Sequence, residues 1–144
     1  MALVYYCMAL RASVTKKVFE FNFTARTSRG RMKNRVSWFI RLWNDANPDV
    51  FGLGECAPLP GLSIDDKPDY EEVLNGVVAR VDKLNLSGNT LLQDAAGIVP
   101  AGFPSVLFGL ETALLDLKNG GKRLIFKNSF SASKPIPING LVWM

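Results

Sequence analysis

Around residue 60 the hydrophobic pattern of this 144-residue chain changes period, and that change limits the folds open to it. Before it, apolar residues recur at every second position. In SVTKKVFEFNF, Phe19, Phe21 and Phe23 alternate with Glu20 and Asn22, which predicts a strand carrying three rings on one face. VSWFIRLW sets Trp38, Ile40 and Leu42 against Ser37, Phe39 and Arg41, and VFGLGEC sets Phe51, Leu53 and Glu55 against Gly52 and Gly54. NDANPD, residues 44–49, is rich in turn formers and predicts a hairpin between the second and third runs. After APLPGLS the period becomes helical. Tyr70, Val73, Leu74, Val77, Val78, Val81 and Leu84 fall on one stripe, opened by Pro68 and the acids Asp69, Glu71 and Glu72 and stopped near Gly88. TLLQDAA predicts a short helix. PSVLFGLETALLDLKNGG predicts a longer one, apolar almost all round and so buried on several sides, ending at Asn119, Gly120 and Gly121. Strands followed by helices predict an α+β fold: a three-stranded antiparallel meander with helices packed on one face.

The chain is long enough for one domain with its own core, so neither disulfides nor a metal are required for folding. Its 48% hydrophobic and 21% charged residues argue against a disordered tail and against a membrane protein. MALVYYCMAL lacks the basic lead and the cleavage pattern of a signal peptide, and residues 1–9 are read as an extension or a strand start. The net charge of +4 comes from 17 basic and 13 acidic side chains, interspersed except in residues 26–35. That is a weak footprint for nucleic acid, and neither nucleic acid nor a membrane is expected as a partner. Cys7 and Cys56 have no C-x-x-C spacing, which suggests reduced thiols in a cytoplasmic protein. Histidine is absent, so Ser-His and Cys-His dyads are excluded within this chain.

Three stretches become informative together: GLGECAPLPGLS (residues 52–63), FPSVLFGLETALLDL (103–117) and PIPINGLVWM (135–144). In this order and approximate spacing, and with TSRG at 27–30, they resemble the N-terminal part of the o-succinylbenzoate synthase family. That family lies in the muconate-cycloisomerase-like branch of the enolase superfamily. The resemblance implies a capping domain over residues 10–134 and, over 135–144, the first strand of a truncated (β/α) barrel, since a barrel needs about 250 residues. It also implies a Mg²⁺-dependent lyase. The reaction would be dehydration of 2-succinyl-6-hydroxy-2,4-cyclohexadiene-1-carboxylate to o-succinylbenzoate, a step in menaquinone biosynthesis. In the family the proton-abstracting lysines and the Asp, Glu and Asp metal ligands stand on later barrel strands. No catalytic or metal residue therefore carries over, and the 144-residue chain alone is expected to be inactive. Its partners would be a dianionic small molecule and its own barrel domain, and an unpaired strand could promote a homo-oligomer. N-succinylamino-acid racemase, dipeptide epimerase and muconate cycloisomerase share the architecture and stay open as alternatives. So does a stand-alone module binding an anion or nucleic acid through residues 26–35.

What the resemblance does carry over is a pair of substrate-capping loops. The first, ARTSRGRMKNR at residues 25–35, offers Ser28, Arg29 and Gly30, and the positive charge of Arg29 suits a dianion. Arg31, Lys33 and Arg35 read as charges solvating a hairpin. In the second, CAPLPGLS at 56–63, prolines stiffen the path and Gly61 permits a turn. Leu59, Pro60, Gly61 and Leu62 could face a cyclohexadiene ring, or the leucines could bury against the cap itself. Asn139 and Trp143, on one side of the terminal run, are candidate pocket residues or barrel packing. Glu55 reads as a structural hydrogen-bonding residue, and the acids of SIDD with Asp69 and Glu71 read as helix N-terminal residues.

Overall fold

The computed structural model describes residues 9–27, 30–131, 133–135 and 137. Three antiparallel strands, β1 (Leu10–Thr27), β2 (Gly30–Asn44) and β3 (Asn47–Cys56), form one sheet in sequence order. The helices α1 (Tyr70–Val78), α2 (Leu91–Ile98) and α3 (Pro104–Lys118) follow, with a short 3-10 turn at Val81–Lys83. This is the expected α+β order. The β2–β3 turn falls inside NDANPD, where the Asn44 side-chain oxygen accepts from the Ala46 amide at 2.9 Å.

Register decides which face is core. Trp38, Ile40 and Leu42 lie opposite Cys56, Gly54 and Gly52, and this face meets α3. A Cβ at Gly54 would land on the Gly109 carbonyl oxygen, and one at Gly52 on the Ala113 carbonyl oxygen. The two glycines thus bring the β3 backbone against the α3 backbone. Ile40 and Leu42 are buried with Leu74, Val77, Val106, Leu110, Ala113 and Leu114. Phe39, Arg41 and Trp43, with Phe51, Leu53 and Glu55, share the opposite face by alternation.

Two helix expectations need correction, and relative strand length decides what the aromatic face of β1 meets. The Phe19, Phe21 and Phe23 face is not core, because the β1–β2 ribbon runs on past β3, which pairs with β2 only from Trp38 to Asn44. Phe19 and Phe23 are 45% and 60% exposed, and β1 contributes Leu10, Ala12 and Val14 to the core instead. A bulge between Glu20 and Ala25 also breaks the alternation. The first helix stops at Val78, and the rest of its stripe continues through the 3-10 turn, so Val81 and Leu84 are still buried. α3 has a broad buried face but leaves Phe108 65% exposed. Its end is as expected, with positive φ at Gly120 and Gly121 and the Gly121 amide bonded to the Asp116 carbonyl. The predicted terminal strand and Cys7 lie outside the described residues. Among the described residues no helix is long and apolar enough to cross a membrane.

Candidate functional site

β3 runs antiparallel to β2 and ends with Cys56 opposite Trp38, so the chain leaving it emerges at the same end of the sheet as the β1–β2 tip. Arg35, at the base of the first candidate loop, is therefore next to the start of the second at Ala57. Gly30 opens β2 with a φ of 140°, in the region that favours glycine. Ser28 and Arg29 lie outside the described residues, as do Asn139 and Trp143. Arg31 and Lys33 are exposed along the ribbon.

The second loop is rigid for identifiable reasons. Pro58 and Pro60 cannot donate to a ladder, so pairing with β2 ends at Cys56. The Leu59 carbonyl then accepts from the Leu62 and Ser63 amides, each at 3.0 Å, around Gly61 at φ 69°. The Ser63 hydroxyl accepts from the Leu59 amide at 2.8 Å, and the Asp66 carboxylate accepts from the Gly61 amide at 2.7 Å. Leu59 is half-buried, while Pro60, Gly61 and Leu62 are exposed. Of the two leucines proposed for the loop's apolar surface, Leu62 is the one at the surface.

Beneath the loop sits a polar joint between elements distant in sequence. Asp65 is buried and accepts from the Ser105 amide at 2.7 Å, the first available N–H of α3 after Pro104. SIDD therefore contributes a residue to the N-terminus of α3, not only to the helix that follows it in sequence. Tyr70 and Ser105 share a hydroxyl hydrogen bond at 2.7 Å, and Tyr70 stacks between Trp38 and Phe103, with centroids at 4.8 and 6.2 Å. Burial pushes the Cys56 thiol up to about 12 and raises the Tyr70 hydroxyl, so neither is a nucleophile or base near neutral pH. Glu55 accepts from the buried Ser37 hydroxyl at 2.6 Å, the hydrogen-bonding role expected of it. Among the described residues no three His, Cys, Asp or Glu side chains converge as a cation would require. The described residues thus offer Mg²⁺ no ligand set.

Sequence reasoning missed two contributions. Arg35, read only as a solvating charge, donates through Nη2 to the Ala57 carbonyl at 3.1 Å and so ties the ribbon to the second loop. Asp116, buried in α3, accepts from the Leu53 amide at 3.0 Å, from the Arg123 amide at 2.7 Å and from the Arg123 guanidinium. That guanidinium also covers the Phe51 ring at 4.5 Å. The available signal for Arg35 was the pair of prolines after Ala57, which leaves a carbonyl outside the ladder.

No family model matches the chain. A curated o-succinylbenzoate synthase of Desulfotalea psychrophila is 33% identical over 86% of this chain, which spans 39% of that protein's length. Among solved structures, the fold matches a dipeptide epimerase of Enterococcus faecalis complexed with Mg and a dipeptide, at TM-score 0.62 and 15% identity. That match covers 76% of this chain and 31% of the epimerase. An o-succinylbenzoate synthase of Thermosynechococcus elongatus with Mg in its active site matches at TM-score 0.51 and 22% identity, over 75% of this chain and 30% of that one. A mandelate racemase/muconate lactonizing protein of Herpetosiphon aurantiacus matches at 0.61 and 15%, over 77% and 30%. The meander and helices therefore share the fold of about a third of each of these enzymes, and by sequence the chain is related to an o-succinylbenzoate synthase.

Proposed function

We propose that this chain is the N-terminal, substrate-capping part of a Mg²⁺-dependent o-succinylbenzoate synthase. The observation that carries the reading is the 33% identity to a curated synthase over 86% of this chain. The geometry supports the capping role, since the residue 25–35 and 56–63 loops leave one end of the sheet together. In this reading a barrel domain supplies the lysines and the metal ligands. This chain's residues bind and enclose: Arg29 adds positive potential for a dianion, and Leu62 offers apolar surface to the ring. Loop closure excludes water from the reacting centre. Asn139 and Trp143 would line the pocket from the first barrel strand.

A chimera tests this. The 144 residues replace the matching N-terminal part of the Desulfotalea psychrophila relative, and the protein is assayed with Mg²⁺ and the succinyl-hydroxycyclohexadiene carboxylate. Formation of o-succinylbenzoate by the chimera, with none by the 144-residue chain alone, is the expected result. Turnover by the lone chain would overturn the capping role. A chimera that racemises N-succinylamino acids or epimerises dipeptides without dehydrating would overturn the substrate assignment.

A further inference from the structure

The β2–β3 ladder ends at Trp38 and Cys56; continued by one step, it would place Ser37 opposite Ala57. Pro58 turns the chain away there, and the Ala57 carbonyl loses its ladder position. Two side chains of β2 take over. Ser37 donates to Glu55, and two residues nearer the tip Arg35 donates to the Ala57 carbonyl at 3.1 Å. Arg35 is itself paired through its backbone with Phe19 of β1, whose ring packs edge-on against Phe39 at 6.1 Å. The guanidinium is half-buried beside an open depression of about 420 Å³ lined by Glu55, Ala57, Ser105 and Phe108. Its Nε is buried and has no acceptor among the described residues.

We propose that Arg35 is a positioning residue that couples the two capping loops, so that the second loop follows the ribbon bearing the first. The claim of coupling stands on the Arg35–Ala57 geometry, and only its consequence for substrate rests on the capping reading. A charge-assisted bond to a carbonyl that the sheet has released holds the start of residues 57–63 at a fixed distance from β2. Motion of the ribbon then carries the loop with it. Replacing Arg35 by methionine removes the tie and also the unpaired buried Nε, so the fold is expected to survive.

Hydrogen exchange on the 144-residue chain tests the coupling without a barrel. In Arg35→Met the amides of residues 59–63 are expected to exchange about tenfold faster, while those of α3 change less than about twofold. In Ser37→Ala, which leaves the Ala57 carbonyl bonded, the same loop amides should keep their rates. Equal loop protection in Arg35→Met and the unmodified chain would overturn the proposal. A measurement on the unmodified chain covers the case of a variant that does not fold: slowly exchanging Arg35 Nη protons coupled to the Ala57 carbonyl are expected, and rapidly averaged ones overturn it. In the chimera, Arg35→Met should raise KM about tenfold with kcat within about twofold, and Arg35→Lys should recover part of the loss. An inactive parent chimera would count against the capping reading, whereas the exchange result alone judges the coupling.

Discussion

Gly54→Ala is a severe test of how β3 meets α3. The new Cβ would fall on the Gly109 carbonyl oxygen and lie 3.0 Å from the Ala113 amide, with backbone rather than a yielding side-chain tip on the far side. An ordinary carbon–oxygen contact needs about 3.3 Å, so α3 must withdraw by about 1.5 Å. A gap of even 0.5–1 Å forfeits roughly a quarter to a half of each van der Waals well. The buried face of α3 carries Val106, Leu110, Ala113, Leu114 and Leu117. At roughly 1.5–3 kcal/mol for each of the four large side chains, losing about a third of that burial costs about 2–4 kcal/mol, around the upper end for overpacking. Urea unfolding followed by far-UV circular dichroism reads the change, with the m-value as a check that the transition is the same. Gly76→Ala is the control: it is exposed on α1, nothing lies within 4 Å of the added Cβ, and it should gain about 0.5–1 kcal/mol. A Gly54→Ala protein within about 1 kcal/mol of the unmodified chain, at equal m, would refute the backbone contact.

Two further outcomes follow from the buried polar groups. Asp116→Ala strands the Leu53 and Arg123 amides, while the Arg123 guanidinium keeps the Phe51 and Gly121 carbonyls, and should cost about 2–3 kcal/mol in thermal or urea unfolding. The ion-pair share is discounted because the Arg123 side chain is 42% exposed, and a loss below about 1 kcal/mol would refute the role given to Asp116. Cys56 ionises near 9.0 when unfolded and near 12 when folded, because burial disfavours the thiolate. The folded state keeps its proton while the unfolded state loses one, so the Cys56 contribution to stability is constant below pH 9 and falls between pH 9 and 12. Tyr70, raised in the same direction, adds to the fall from pH 10 upward. Cys56→Ala should flatten the pH 9–10 part of a urea-midpoint profile, and an unchanged slope would contradict the assignment.

The elements were legible where the signal is local. Alternation marked β2 and β3, and the 3.6 period marked the buried Tyr70, Leu74, Val77, Val81 and Leu84 even where the helix breaks. The aromatic run of β1 was legible as a strand, but alternation identifies a face and not what covers it. Phe19 and Phe23 sit where the ribbon has outrun β3, a fact of relative strand length. For the candidate site, GLGECAPLPGLS and TSRG were readable as two loops, and the nearness of Arg35 to Ala57 is a matter of register. Arg35 looked like one more base in a charged stretch because its acceptor, the Ala57 carbonyl, is marked only indirectly, by the prolines that follow it, and lies 22 positions away.

By itself, the sequence determined the order of strands and helices, the turn at 44–49, the helix end at Asn119–Gly121 and the family kinship. Each of these depends on residues close along the chain or on matched stretches in a relative. Tertiary structure alone decided that Asp65 serves a helix beginning 39 positions later (104 − 65 = 39) and that Asp116 holds the β3 backbone. It also decided that Gly52 and Gly54 admit α3, and that Arg35 binds the second loop to the ribbon of the first. Those contacts arise only when packing brings distant segments within hydrogen-bonding or van der Waals range, a geometry that periodicity along one segment does not encode.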